Sequence, residues 1–393
     1  MLFLVSAGIL WLISILGNFT VYHSFNKNIR KQLLFRILLG IETIGISILP
    51  IILLLLVRFT GLATDSLLFM WGVFVSLLIL IPLLFFSIYY LIIILPFYRF
   101  SNYQKIGSYI GWCLFISIFS VILYGGIVGR KKITVEKEII YSERLPKSFN
   151  NFRIVQISDL HLGSIRHNPS YIQTIIDSIN NQHPDIIFFT GDLVNSQAIE
   201  ARPFIKELSS LKAKYGVFSV MGNHDYAYYH HWPSEYDRLK NVAELMSIEK
   251  IAGWQLLNNT HTILRQGNDS IVIVGVENWG EKRFGQQGDL SKAMKNVNDS
   301  AFTLLLSHNP VHWRKEVIPH TQIDITFAGH THAMQLQIGS FSPSMWLYPE
   351  WNGLYREGNQ YLNVNRGTGF VIFPARIGAY PEISLIELRS KSI

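Results

Sequence analysis

Residues 152–163 read FRIVQISDLHLG, a run of β-branched and aromatic residues that ends without a spacer in Asp159-Leu160-His161. Phe152 to Ser158 has the length and composition of a buried strand, and a strand that stops at a carboxylate and an imidazole presents metal-binding groups at its end. In an extended chain residues i and i+2 point to one side, so Asp159 and His161 are expected to grip one metal ion. Layered α/β folds collect their sites at the C-terminal ends of strands.

The same punctuation recurs downstream. A helix is predicted at about Ser170 to Asn181, and the next strand, Asp185 to Thr190 (DIIFFT), closes on Gly191-Asp192. Gly191 permits a tight turn, and the two oxygens of the Asp192 carboxylate suit it to bridge two cations. Gly216 to Met221 (GVFSVM) closes on Gly222-Asn223-His224-Asp225, Ser300 to Leu306 (SAFTLLL) on Ser307-His308-Asn309-Pro310, and Ile323 to Ala328 (IDITFA) on Gly329-His330-Thr331-His332. One Asp-x-His or His-x-His alone is more often a surface turn than a metal site. Five such fragments in order, each ending a predicted strand, point to a metal centre on an α/β domain whose strand ends share one edge. From Ile133 onward strand and helix patterns alternate as in a sheet sandwiched by helices.

The only cysteine, Cys113, lies in an apolar run, so the ligands must be His, Asp and Asn. That donor set suits two divalent first-row ions, with Mn as the nominal choice and Fe, Zn or Co also compatible, better than Ca.

Ahead of this domain the composition changes. Leu2 to Val21, Leu33 to Val57, Leu67 to Leu95 and Ile106 to Val128 each reach the roughly 20 apolar residues that cross a hydrocarbon core. Residues 1–132 are therefore read as a four-span transmembrane helical anchor with the lipid bilayer as its partner, and residues 133–393 as the metal domain. The first run lacks a basic start and a small-x-small cleavage site, so an uncleaved helix is expected. Pro82 should tilt or kink the third span. Glu42 lies inside the second, where a charged group is suspect by default.

The formal charge of +7 divides unevenly: residues 1–132 hold ten Lys/Arg against Glu42 and Asp65, a net of +8, and the remaining 24 basic and 25 acidic residues give −1. The excess flanks the membrane runs, so no nucleic acid partner is expected. Positive charges are nearly balanced between the two sides, which leaves the side of the metal domain unassigned in what is expected to be an integral membrane protein, of the cytoplasmic membrane if bacterial.

DLH, GD, GNHD, SH and GHTH in this order resemble the calcineurin-like metallophosphoesterase superfamily over essentially Ile133 to Glu387. The resemblance implies a four-layer α/β sandwich of two mixed β-sheets flanked by helices, and a hydrolase of phosphodiester or pyrophosphate bonds. Carried over by motif, Asp159, His161 and His332 would bind one metal, Asn223, His308 and His330 the second, and Asp192 would bridge them. His224 would contact the substrate phosphate and protonate the leaving oxygen. Many relatives carry a second aspartate three residues after the bridging one, where it orients the catalytic histidine. Here that position is Asn195, whose amide is expected to hydrogen-bond His224.

The anchor and the tail GLYREGNQYLNVNRGTGFVIFPARIGAYPEISLIELR look like the transmembrane branch of that superfamily, some relatives of which cleave UDP-2,3-diacylglucosamine in lipid A synthesis. A phosphorylated, lipid-linked substrate is thus the leading expectation. A broad phosphatase or nucleotide phosphodiesterase is the second, and a non-catalytic membrane sensor the third. Two aromatic-rich stretches, Tyr226 to Trp232 and Phe341 to Tyr355, adjoin the motifs and are candidates to shape specificity.

Overall fold

Short runs of large apolar residues become fully buried strands here because both of their faces are covered. In Ile186–Phe189 every side chain is buried, and the same is true of Thr303–Leu306 and Ile325–Ala328. The computed structural model describes residues 2–25, 67–97, 100–165, 168–280 and 286–391. These fall into two compact units, one formed by residues 1–128 with 372–375, the other by 129–371 with 376–393.

In the first unit, helices Leu2–Ser24, Leu67–Tyr89 and Ser101–Ile127 pack together. Phe86, Tyr90 and Ile94 form a buried cluster against Trp112 and Phe115, and the Trp112 indole donates to Ser24 Oγ at 3.2 Å. Leu68, Ile92, Ile110 and Ile116 stay exposed on the outer faces. Among the described residues, Leu67–Phe97 and Asn102–Lys131 are long and apolar enough to cross a membrane, two helices where the sequence suggested four spans. The run at Leu33 to Val57, with Glu42, lies outside the described residues. The α-helix passes through Pro82, and its pattern changes only at Tyr90–Ile94, a π turn.

Among the described residues the second unit holds twelve strands: β1 (Thr134–Ser142), β2 (Phe152–Ile157), β3 (Ile186–Phe189), β4 (Val217–Ser219), β5 (Gln255–Leu256), β6 (Thr260–Gln266), β7 (Asp269–Gly275), β8 (Thr303–Leu306), β9 (Ile325–Ala328), β10 (Gly353–Glu357), β11 (Gln360–Val364) and β12 (Glu382–Ser390). They form two six-stranded sheets, ordered β1-β12-β2-β3-β4-β5 and β10-β11-β9-β8-β7-β6. Both are mixed: β12 runs parallel to β1 and antiparallel to β2, while β11 runs parallel to β9 and antiparallel to β10.

Side chains alternate across each strand. Ile154, Ile186, Phe188 and Phe218 of the first sheet meet Ile271, Ile273, Leu304, Leu306, Ile325 and Phe327 of the second in one core, with the Phe188 and Phe327 rings 5.0 Å apart. On the far side of the second sheet, Val272, Val274 and Leu305 pack with Leu290, Trp313 and Val317. Helix Pro169–Asn180 buries Tyr171, Ile172, Ile175, Ile176 and Ile179, and helix Glu235–Ile251 buries Val242, Leu245 and Ile248.

The expectation that the five motif strands share one edge needs correcting. β2, β3 and β4 belong to one sheet and β8 and β9 to the other. Their ends meet because the sheets pack face to face.

Glu249, on helix Glu235–Ile251, is buried and accepts from Ser219 Oγ at 2.5 Å. Burial pushes its carboxyl up to about 8 against the Ser219 hydrogen bond, with Asp225 adding in the same direction. The folded chain therefore carries a proton that the unfolded chain loses near the ordinary glutamate value of about 4.3. Between those limits the native state binds more protons, so stability falls as pH rises. Glu249→Gln should remove up to about 1.4 kcal/mol per pH unit of that slope. Apparent Tm of the chelator-treated protein between pH 5.5 and 8 measures it, and parallel slopes for variant and wild type would contradict it.

Candidate metal centre

Each motif leaves its strand through a turn that sends side chains inward. Asp159 (φ 52°), His161 (φ 45°), Asp192 (φ 60°), His330 (φ 72°) and His332 (φ 50°) all have left-handed backbone. Such conformations cost about 1–3 kcal/mol each in non-glycine residues and persist where the surroundings over-determine them. Asp159 and His161 therefore do not share a side through strand alternation, as the sequence suggested. They converge because the chain turns twice in three residues.

Two glycines make this turning possible. Gly191 sits at φ 94°, where a Cβ would meet the Gly222 nitrogen at 2.5 Å. A Cβ on Gly329 would lie 2.0 Å from Ser158 Oγ and 2.3 Å from Asp159 Oδ2.

The buried carboxylates are oriented alike. Asp159 Oδ2 accepts from the His330 N–H at 3.0 Å, while its Oδ1 is buried without a hydrogen-bond partner, 3.1 Å from His332 Nε2 and 3.9 Å from His161 Nε2. Asp192 Oδ1 accepts from the His224 N–H at 2.9 Å, and its Oδ2 lies 3.1 Å from His308 Nε2 and 3.7 Å from His161 Nε2. In each, a main-chain N–H ties down one oxygen and aims the other at a shared centre.

Among the described residues three overlapping groups of donor atoms result, one of which, His161, Asp192 and His224, joins the other two. Asp159, His161 and His332 form the first, with His161 Nε2 and His332 Nε2 3.1 Å apart. Asp192, His308 and His330 form the second, with His330 Nδ1 3.2 Å from His308 Nε2 and Asn223 Oδ1 3.1 Å from that same nitrogen. His308 Nδ1 donates to the Thr190 carbonyl at 2.7 Å, so Nε2 faces only lone pairs: those of Asn223, Asp192 and His330. Acceptors crowded in this way need a positive charge between them. The orphaned Asp159 oxygen and the convergent imidazoles fit divalent ions well.

The titration of the groups carries the same message. Burial alone would raise the Asp159 and Asp192 carboxyls, yet the imidazoles hold both well below the usual carboxylate range, chiefly His332 for Asp159 and His308 for Asp192. Burial works against a charge on His308, but Asp192, Asp159 and the Thr190 carbonyl outweigh it and hold its pKa at about 9. Burial and the neighbouring His308 drive His330 down to about 3. One cation is favoured in the second group, and a proton on His308 Nε2 competes for that place.

Residues 152–334 match the family model described as calcineurin-like phosphoesterase. A UDP-2,3-diacylglucosamine pyrophosphatase of Chlamydia muridarum is 30% identical over 237 residues, which cover 50% of this chain and 68% of that protein. The chain belongs to the calcineurin-like phosphoesterase family. A transmembrane protein with a metallophosphoesterase domain from Danio rerio is 28% identical over 294 residues, covering 72% of this chain. A metallophosphoesterase of Bacillus subtilis is 29% identical over 266 residues, covering 66% of this chain and 86% of that protein. The chain spans 64% of the length of the Danio rerio relative. Hydrolysis of phosphoric esters is the reaction class of the family.

The structure brings Asp159, His161, Asp192, Asn223, His224, His308, His330 and His332 close together. Asn195 is placed differently from the expectation. Its side-chain oxygen accepts from the Ser164 N–H and its amide nitrogen donates to Ser164 Oγ, both at 2.9 Å. The contact with His224 Nδ1, at 2.6 Å, is made by the Asn195 main-chain carbonyl, which any residue could supply. His224 Nδ1 thus carries a hydrogen, since a carbonyl oxygen can only accept.

Three residues that support the site were not singled out from sequence. Asp225 accepts the N–H groups of Asp192 (2.8 Å), Leu193 (2.8 Å), Val194 (3.2 Å) and Gly222 (2.9 Å), binding two motif loops to one carboxylate. Burial and then Asp192 push its carboxyl up to about 7. Its place inside GNHD was a usable signal. Gln156 links the sheets beneath the centre: its Nε2 donates to the Ala328 carbonyl at 2.7 Å and its Oε1 accepts from Asn363 at 2.8 Å. Arg376, fully buried, donates to the Gly369, Ala379 and Arg366 carbonyls and lies 3.2 Å from His332 Nδ1. No local pattern in the sequence marks the last two.

Because the second group holds a proton on His308 up to about pH 9, ion binding must expel it. Titrating the metal-free chain with Mn at pH 7.5 in buffers of different ionisation enthalpy should show release of about one proton per chain. Affinity should rise up to about tenfold per pH unit between pH 6 and 8 and level off above 9. A pH-independent affinity would contradict the assignment.

Proposed function

We propose that the chain is a membrane-anchored dinuclear-metal phosphoesterase that hydrolyses a phosphodiester or pyrophosphate bond in a lipid-linked substrate of the UDP-2,3-diacylglucosamine type. The observation that carries the reading is the position of Asp192 Oδ2, 3.7 Å from a nitrogen of one donor group and 3.1 Å from a nitrogen of the other. Asp159, His161 and His332 would hold the first ion, Asn223, His308 and His330 the second, and Asp192 would serve both. Two divalent ions held there would supply a lowered pKa for a water and positive charge against the phosphoryl oxygens.

The chain's own residues do the rest. His224, anchored through Nδ1, offers Nε2 to the leaving oxygen and, as the doubly protonated imidazolium, would give up its Nε2 proton to that oxygen and return to the neutral ring.

The lipid-linked class is supported by the pyrophosphatase activity of the Chlamydia muridarum relative and by two helices of membrane-crossing length and hydropathy. Holding the catalytic unit at a bilayer raises its effective concentration toward a substrate dissolved there. We place the anchor in residues 1–132 and the catalytic unit in residues 133–393.

The test is to offer the purified full chain, in detergent with Mn, both UDP-2,3-diacylglucosamine and bis(4-nitrophenyl) phosphate. Cleavage of the first at its pyrophosphate, releasing UMP, is expected. Cleavage of the small ester alone would favour a broad-specificity phosphodiesterase, and cleavage of neither a sensor. Asp192→Asn should lower turnover at least about 100-fold without unfolding the protein, because it weakens a ligand shared by both ions. Near-wild-type turnover of that variant at saturating Mn would defeat the bridging role.

A further inference from the structure

The loop after Asp225 returns an aromatic ring to the site. Tyr226 is buried and donates its hydroxyl to Glu277 Oε1 at 2.8 Å. The backbone then turns at Ala227 (φ 61°), whose carbonyl accepts from the Trp232 indole at 2.8 Å. Pinned at both points, the loop lays Tyr229 against His224, with ring centroids 4.2 Å apart and planes inclined by 26°. The same residue reaches the second donor group, because its hydroxyl accepts from Asn223 Nδ2 at 2.8 Å.

Both contacts fall on groups that are under-constrained without them. Asn223 is a neutral ligand whose amide can rotate about χ2, and its Oδ1 must face His308 Nε2, 3.1 Å away. An acceptor on Nδ2 holds the amide plane and draws electron density onto Oδ1, the usual way an outer hydrogen bond strengthens a metal ligand. His224 is anchored at Nδ1 by one carbonyl, which leaves its ring free to pivot about that bond. Tyr229 covers one face of the ring, and the His161 ring stands at 86° to it, 4.8 Å away. Stacking on Tyr229 is therefore the contact that opposes pivoting about the Nδ1 hydrogen bond.

We propose that Tyr229 is a positioning residue with two separable roles: its hydroxyl holds and polarises Asn223 as a metal ligand, and its ring clamps His224 for proton transfer to the leaving group. The inference rests on the metal and acid roles given above to Asn223 and His224.

Tyr229→Phe and Tyr229→Leu separate the two roles in the full chain. Mn binding is followed by calorimetry, with bound metal counted after gel filtration. Turnover at saturating Mn is followed across aryl phosphodiesters of increasing leaving-group pKa. Tyr229→Phe should raise the weaker of the two Mn dissociation constants about tenfold and leave the dependence on leaving group unchanged. Tyr229→Leu should show the same loss of Mn affinity and, in addition, lose about tenfold more turnover with a poor leaving group than with 4-nitrophenol. Should Tyr229→Leu not fold, Tyr229→Met removes the ring at similar volume and is read in the same way. Unchanged Mn affinity in Tyr229→Phe, or the same leaving-group slope in the ring-deleted variant as in Tyr229→Phe, overturns the proposal. Asn223→Ala is the control for the underlying reading: if it leaves both Mn constants unchanged, the assignment of Asn223 fails, and the role of the Tyr229 hydroxyl with it.

Discussion

The crowding of acceptor atoms around Asp192 is the constraint on which the rest of the site depends. Its Oδ2 lies within 3.1 Å of one imidazole nitrogen and 3.7 Å of another, and two further imidazole pairs approach at 3.1 and 3.2 Å, with only His330 among these side chains half-buried rather than buried. Lone pairs packed so closely repel one another unless a proton or a cation lies between them. The elevated His308 pKa records the proton solution to that problem. Divalent ions are the stronger solution, since they satisfy several acceptors at once.

Holding such a centre open requires a scaffold that does not relax. The main-chain N–H groups of His330 and His224 turn one oxygen of each carboxylate outward and leave the other to the centre. Asp225 gathers four N–H groups from two loops, so neither Asp192 nor Asn223 can drift independently. Five left-handed residues store strain that these bonds and the buried core must offset. Beneath them the aromatic and aliphatic core between the sheets sets the spacing, and Gln156 ties β2 to the end of β9 within hydrogen-bonding distance of two partners in the second sheet. Stability and function are thus opposed locally at the centre and reconciled in the core below it.

The aromatic stretch Tyr226 to Trp232, a candidate for substrate specificity on sequence grounds, has structural work that composition could not reveal. Tyr226 and Trp232 shape the loop, and Tyr229 faces His224 and Asn223. In the second stretch Tyr348 meets His330 Nε2 at 3.0 Å, while Trp346 and Leu347 beside it are exposed. Aromatic residues next to a metal centre thus divide between holding ligands and facing solvent, and only their neighbours in space distinguish the two.

What the sequence determined by itself was whatever depends on neighbours in the chain. Strands β2, β3, β8 and β9 and helix Pro169–Asn180 fall where apolar runs and periodicity put them, because burial on both faces demands an unbroken apolar run and a helix against a sheet demands a 3.6-residue stripe. The motif residues were legible because Gly, Asp, Asn and His at a strand end are costly unless they turn the chain or bind something. Tertiary structure alone decided the rest. It assigned three motif strands to one sheet and two to the other, turned the Asn195 side chain toward Ser164 while giving its carbonyl to His224, and brought Gln156, Tyr229 and Arg376 to the centre. Those outcomes depend on contacts between residues up to 207 positions apart, as in the Asn363–Gln156 bond, and a local pattern carries no record of which distant group will complete a hydrogen bond.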